Sequence, residues 1–174
     1  MFMICISRCE IIGLLALALS GGCASTENGA NSQTSAVAPN IFLKSVDSKT
    51  VSLAEFKGKV VVLDFWATWC VPCRQRLQHL QALGENLDLA QRGLVVLTID
   101  EREERSEIQS FLRQFRYTFI VLCDDRGEAA RDYSISGLPS TIVVGRDGKI
   151  ASLITADAGD ADVRLDAAIS RVVQ

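Results

Sequence analysis

The sequence predicts an α/β domain in which helices flank a mixed central sheet, built as a βαβ half followed by a ββα half. Three observations point to this. Val60–Phe65 is a continuous, β-branched apolar run that reads as a buried strand. Helix-period apolar residues follow it and lead to further apolar strands. Near the end, Gly145-Arg146-Asp147-Gly148 joins two strand patterns as a hairpin, and a last helical pattern closes the chain.

The elements follow in order from Pro39, where the folded domain, residues 39–174, is expected to begin. Ile41–Val46 reads as a strand, Asp47-Ser48-Lys49 as a turn, and Val51–Lys59 as the return into the central strand. This is a hairpin extension ahead of the βαβ half. After Cys73, Leu77, Leu80, Leu83 and Leu87 recur at three- and four-residue spacing, so one helix with a buried face runs towards Gly93. Leu94–Ile99 is a second buried strand. Ile108, Phe111, Leu112 and Phe115 mark another helix, with Glu103 and Glu104 suited to the positive end of its dipole. Phe119–Leu122 is a third strand, and residues 100–135 hold a central helical insertion. Ser140–Val144 and Lys149–Ile154 form the hairpin. Leu165, Ala168, Ile169, Val172 and Val173 give the closing helix.

Residues 1–23 read as an export segment. Ile11–Leu19 is an apolar run too short to span a bilayer and suited to a signal peptide. Leu19-Ser20-Gly21-Gly22-Cys23 resembles a bacterial lipobox, with the leucine one position further from the cysteine than usual. A lipidated Cys23 and an ordinary cleaved signal peptide are the two readings. Residues 24–38, polar and small, read as a flexible linker. The chain is 174 residues long, 48% hydrophobic and 22% charged, with a net charge of −3 and no basic patch, which argues against a nucleic-acid partner.

The chemistry centres on Cys70-Val71-Pro72-Cys73, where the strand hands over to a helix. Thiols at i and i+3 on a first helical turn can close a small disulfide ring. The first faces the unpaired N–H groups of the helix start, which stabilise a thiolate. Pro72 suits a first turn, where its missing N–H has no helical partner. Cys70 therefore reads as the attacking thiol and Cys73 as the resolving one. The competing reading is half of a zinc site. Such a site needs two more ligands, and beyond residue 23 only His79 and Cys123 add a histidine or cysteine. No metal site is expected. Asp64 stands within the apolar run, where an unpaired carboxylate is costly, so a raised pKa and proton-transfer work are expected; an exposed strand-end aspartate is the bland alternative. Trp66 reads as core, His79 as a solvated helix residue and Cys123 as a small buried apolar group.

The stretch Asp64-Phe65-Trp66-Ala67-Thr68-Trp69-Cys70-Val71-Pro72-Cys73 resembles the active site of thioredoxin-like proteins. With Gly58-Lys59 ahead of the strand, it is most similar to the TlpA/ResA branch of membrane-anchored, extracytoplasmic thiol–disulfide oxidoreductases. The resemblance spans most of residues 39–155 and implies a thioredoxin fold. It also implies a Cys70/Cys73 dithiol–disulfide cycle acting as a reductase of protein disulfides, a membrane thiol as electron donor, and no cofactor. Pro139, in Ile135–Thr141, is similar to the family's cis-proline loop. There the backbone of Leu138 would pair with an extended substrate, and Trp69, Val71 and Pro72 would meet it. Asp64 matches the buried aspartate that in thioredoxin accepts the resolving thiol's proton. Arg76 and Gln78 depart from the glutamate and proline that ResA-like proteins tend to carry, which weakens transfer of a cytochrome c maturation role. Arg76 then reads as either a cation near the site or a solvated helix residue. Three rivals remain: a peroxiredoxin-like peroxidase, a copper-delivery protein of the SCO type, and a tethered adhesion or scaffold domain.

Overall fold

The computed structural model describes residues 36–155 and 159–174. The strands are β1 (Phe42–Ser45), β2 (Thr50–Ser52), β3 (Val60–Trp66), β4 (Leu94–Glu101), β5 (Ile120–Asp124), β6 (Ser140–Val144) and β7 (Ile150–Thr155). The helices are α1 (Val71–Glu85), α2 (Leu87–Gln91), α3 (Arg105–Phe115), α4 (Glu128–Asp132) and α5 (Ala161–Val172). One seven-stranded sheet runs in the order β2-β1-β5-β4-β3-β6-β7. β3, β4 and β5 are parallel, whereas β1 and β6 join them antiparallel. This is the thioredoxin fold, with β1–β2 as the hairpin extension.

β3 is central, so every one of its residues is buried. Alternation along the strand sorts its side chains between two cores. Val60, Val62 and Trp66 pack with Leu77 and Leu80 of α1, Ile108 and Phe111 of α3, and Leu165 and Ile169 of α5. Val61, Leu63 and Phe65 face the other way, towards Ile41, Ala129, Ala130 and Tyr133. By that alternation Asp64 lies on the face carrying α1.

The expected third strand and helical insertion stand as β5 between α3 and α4 within residues 100–135, and two details differ from the sequence expectation. The helix after Cys73 does not run on to Gly93: it stops at Glu85, and Asn86 caps the separate α2, its Oδ1 accepting from Leu89 N at 3.1 Å. A side-chain cap competes with the continuing helical bond, and Leu87 is left 76% exposed. Pairing also begins before Pro39. Val37 bridges Lys149, Ala36 O accepts from Ile150 N at 2.9 Å, and Ala38 is buried.

Candidate active site

β3 ends at Trp66, and Ala67–Trp69 carry the chain across the sheet edge to α1. Cys70 is the N-cap of α1: its Sγ accepts from Cys73 N at 3.3 Å, the position at which a helix start favours negative charge. Cys70 and Cys73 form a disulfide, with Cα atoms 5.3 Å apart. Cys70 keeps a sliver of exposure and Cys73 has none. Trp69 and Val71 flank the pair and are 67% and 69% exposed.

The Leu138–Pro139 peptide is cis, as the sequence reading expects. Ser140 Oγ donates to Gly137 O at 2.7 Å and braces the turn into β6. Pro139 and Pro72 line one cleft of about 150 Å³ together with Gln75, Arg76 and Asp162. The cis-proline loop and the disulfide turn thus share a concave surface.

Asp64 is completely buried. β3 places it opposite Thr141 of β6, whose hydroxyl donates to Asp64 Oδ1 at 2.6 Å. Burial pushes its pKa up to about 7, against the lowering effects of the Thr141 hydrogen bond and the Arg76 charge. Asp64 Oδ2 has no hydrogen-bond partner among the described residues. Arg76 is not a solvated helix residue: it is 5% exposed. Its Nη1 donates to Thr141 Oγ1 at 3.1 Å, and its Nε lies 2.9 Å from Asp162 Oδ1 at the start of α5.

Sequence reasoning missed a second acid cluster. The sequence places Glu103 at the dipole end of α3, yet its carboxylate accepts from both the N–H and the hydroxyl of Thr68, two residues before Cys70. Glu104 takes the N-cap position of α3 and makes no side-chain cap. Buried Asp100 accepts from Glu103 N at 3.3 Å. Burial, reinforced by the adjoining Glu103 carboxyl, pushes its pKa up to about 9. The available signal was an aspartate closing the apolar run Leu94–Ile99, the same cue that marked Asp64. Arg74 adds a cation nearby, its guanidinium 5.9 Å and 5.8 Å from the ring centroids of Phe111 and Phe115.

Trp66 is core, packed on Phe111 with ring centroids 5.3 Å apart. His79 is half-buried rather than solvated, with Nε2 2.8 Å from Asp166 Oδ1 on α5. Cys123 is a free, buried thiol, its pKa raised by burial. Cys23 lies outside the described residues. Among the described residues no group of three or more His, Cys, Asp or Glu side chains is placed to hold a metal ion, and no helix is long and apolar enough to cross a membrane.

Comparison with known proteins gives a family match and named relatives. Residues 34–153 match the model of the AhpC/TSA family. The thiol-disulfide oxidoreductase ResA of Bacillus thuringiensis subsp. konkukian is 31% identical over 113 residues, covering 65% of this chain and 64% of the relative. ResA of Bacillus subtilis (strain 168) is 27% identical over 118 residues, covering 68% of this chain and 65% of that protein. The chain thus spans slightly under two thirds of these relatives' length. A Chlorobium tepidum crystal structure named for thiol:disulfide interchange protein DsbE superposes with a TM-score of 0.75 at 26% identity, over 81% of this chain and 98% of the other.

Proposed function

The chain belongs to the AhpC/TSA family, and on that premise we propose that it is a thiol–disulfide oxidoreductase that reduces protein disulfides through Cys70 and Cys73. The observation that carries this reading is the Cys70–Cys73 disulfide on the first turn of α1, beside the cis-Pro139 loop.

In the reduced protein the Cys70 thiolate attacks one sulfur of a partner disulfide. A Cys70–partner bond forms, and the partner's other sulfur leaves as a thiolate. Asp64 takes the proton of Cys73, whose thiolate attacks Cys70 Sγ. The Cys70–Cys73 bond forms, the mixed disulfide breaks, and the second partner sulfur leaves with the electron pair and is protonated by water. Two electrons have passed from the dithiol to the partner. Exposed Trp69 and Val71, with Pro72, offer the partner an apolar landing surface, and the backbone of Leu138 ahead of cis-Pro139 receives its extended segment. We also assign the chain an extracytoplasmic place, from the export segment 1–23. Lipidated Cys23 would be its membrane anchor, and a membrane thiol would be its electron donor.

The test is a redox titration of the full chain in thiol–disulfide buffers, read by Trp69 fluorescence, together with Cys73→Ser. A two-electron couple near −270 mV, about the thioredoxin value, supports a reductase, and the variant should accumulate a Cys70 mixed disulfide. A couple near about −120 mV reverses the direction. Absence of any two-electron couple removes the redox reading. Consumption of peroxide in place of protein disulfide would favour a peroxidase.

A further inference from the structure

The buried carboxyl of Asp64 is not held by its strand neighbours alone. It stands at the inner end of a line of side chains that starts on another helix. Asp162, in the first turn of α5, meets Arg76 Nε at 2.9 Å. Arg76 Nη1 donates to Thr141 Oγ1 at 3.1 Å, and Thr141 Oγ1 donates to Asp64 Oδ1 at 2.6 Å. Asp64, Thr141 and Arg76 are all buried, whereas Asp162 is half-exposed on the cleft shared with Pro72 and Pro139.

The direction of this line is chemically fixed. A guanidinium only donates, so Thr141 Oγ1 must accept from Arg76 and spend its single proton on Asp64. That arrangement suits a carboxylate at Asp64 and has no place for a proton on Oδ1. On the other side of β3 the paired residue is Thr98, but its hydroxyl donates to Ile120 O at 3.2 Å. Stabilisation of the anion thus enters from the Arg76 side, and Oδ2 is left to take a proton. The charged groups packed about Asp64 are Arg76 from α1 and Asp162 from α5; β4 and β6 present the neutral Thr98 and Thr141.

We propose that Arg76 is a positioning residue: acting through the Thr141 hydroxyl, it keeps buried Asp64 available as a proton acceptor, while the Asp162 carboxylate at its outer end opposes it by charge. The proposal rests on the thiol–disulfide reading for its catalytic meaning, but the electrostatic relationship is independent of turnover.

The experiment is a carbon-detected NMR titration of the Asp64 carboxyl in the full chain with Cys70–Cys73 oxidised, comparing wild type with Arg76→Met, Arg76→Lys, Thr141→Val and Asp162→Asn. Losing the cation or the bridging hydroxyl should raise the Asp64 midpoint by about one unit, whereas losing the Asp162 charge should lower it. Arg76→Lys should restore part of the Arg76→Met shift. A purely packing role for Arg76 predicts that Arg76→Met and Asp162→Asn move the midpoint the same way or not at all, and either result overturns the proposal. Should Arg76→Met fail to fold, the opposed shifts of Thr141→Val and Asp162→Asn decide it. A chain that never cycles a protein disulfide would still report these shifts, and a chain that cycles normally with an unmoved midpoint would lose this inference alone.

Discussion

Thr141 Oγ1 lies 2.6 Å from Asp64 Oδ1, directly across the β3–β6 ladder and wholly away from solvent. An acid whose pKa is pushed up to about 7 is poised to accept a thiol proton near neutral pH. Asp64→Asn keeps an acceptor for Thr141 and removes only the titration. Release of the partner from a preformed Cys70 mixed disulfide should slow on the order of 100-fold at pH 7–8, the low end of general-base effects. Its pH profile should also lose the step near 7. Stopped-flow release across pH 5–9 measures this, and an unchanged rate takes Asp64 out of the mechanism.

The same substitution has a consequence for stability. A carboxyl raised from 3.8 to about 7 binds more protons folded than unfolded between those values. Its stabilising contribution is therefore complete below about pH 4 and is lost as pH rises towards 7. Above 7 the buried anion costs at most about 4 kcal/mol, from the size of the shift. Asparagine carries no such dependence. Relative to wild type, Asp64→Asn should gain stability between pH 5 and pH 8 in urea unfolding of the oxidised protein. Asp100 titrates in both proteins and cancels. A difference that stays constant with pH would mean Asp64 is ionised throughout.

Glu103 clamps Thr68 by two hydrogen bonds, so the loop leading to Cys70 is tied to the end of β4. Hydrogen bonds to a charged acceptor are worth more than neutral ones. Thr68→Val removes one of the two donors with little change of shape and should cost about 1–3 kcal/mol in urea unfolding at pH 7. No loss would show that the backbone N–H alone holds the loop.

The fold and the disulfide pair were legible because they are written locally. Val60–Trp66 is a contiguous apolar run, Cys70 and Cys73 are one helical turn apart, and Pro139 opens a strand within a recognisable loop. Asp64 betrayed itself as a charge in an apolar run. Arg76 did not, because what makes it more than a surface cation is a hydroxyl 65 positions along the chain and an acid on the last helix. Glu103 was misread for the same reason: a carboxylate just before a helix has a ready local explanation in the helix dipole, and its tie to Thr68 is tertiary. The break at Asn86 was hidden because Leu87 continues the helical spacing although its side chain faces solvent.

The three cysteines of the folded domain should differ sharply in reactivity. Reduced Cys70 sits at a helix N-terminus with some exposure, the setting that lowers a thiol pKa and speeds alkylation. Cys73 is sealed beneath it, and Cys123 is buried on β5 with its pKa raised by burial. After reduction, brief iodoacetamide treatment at pH 7 and peptide mass mapping should find Cys70 modified first. Cys123 should be modified only as the protein unfolds, its rate rising in step with the urea transition. Modification of Cys73 ahead of Cys70 would exchange the attacking and resolving roles. Fast labelling of native Cys123 would mean that β5 opens locally without global unfolding.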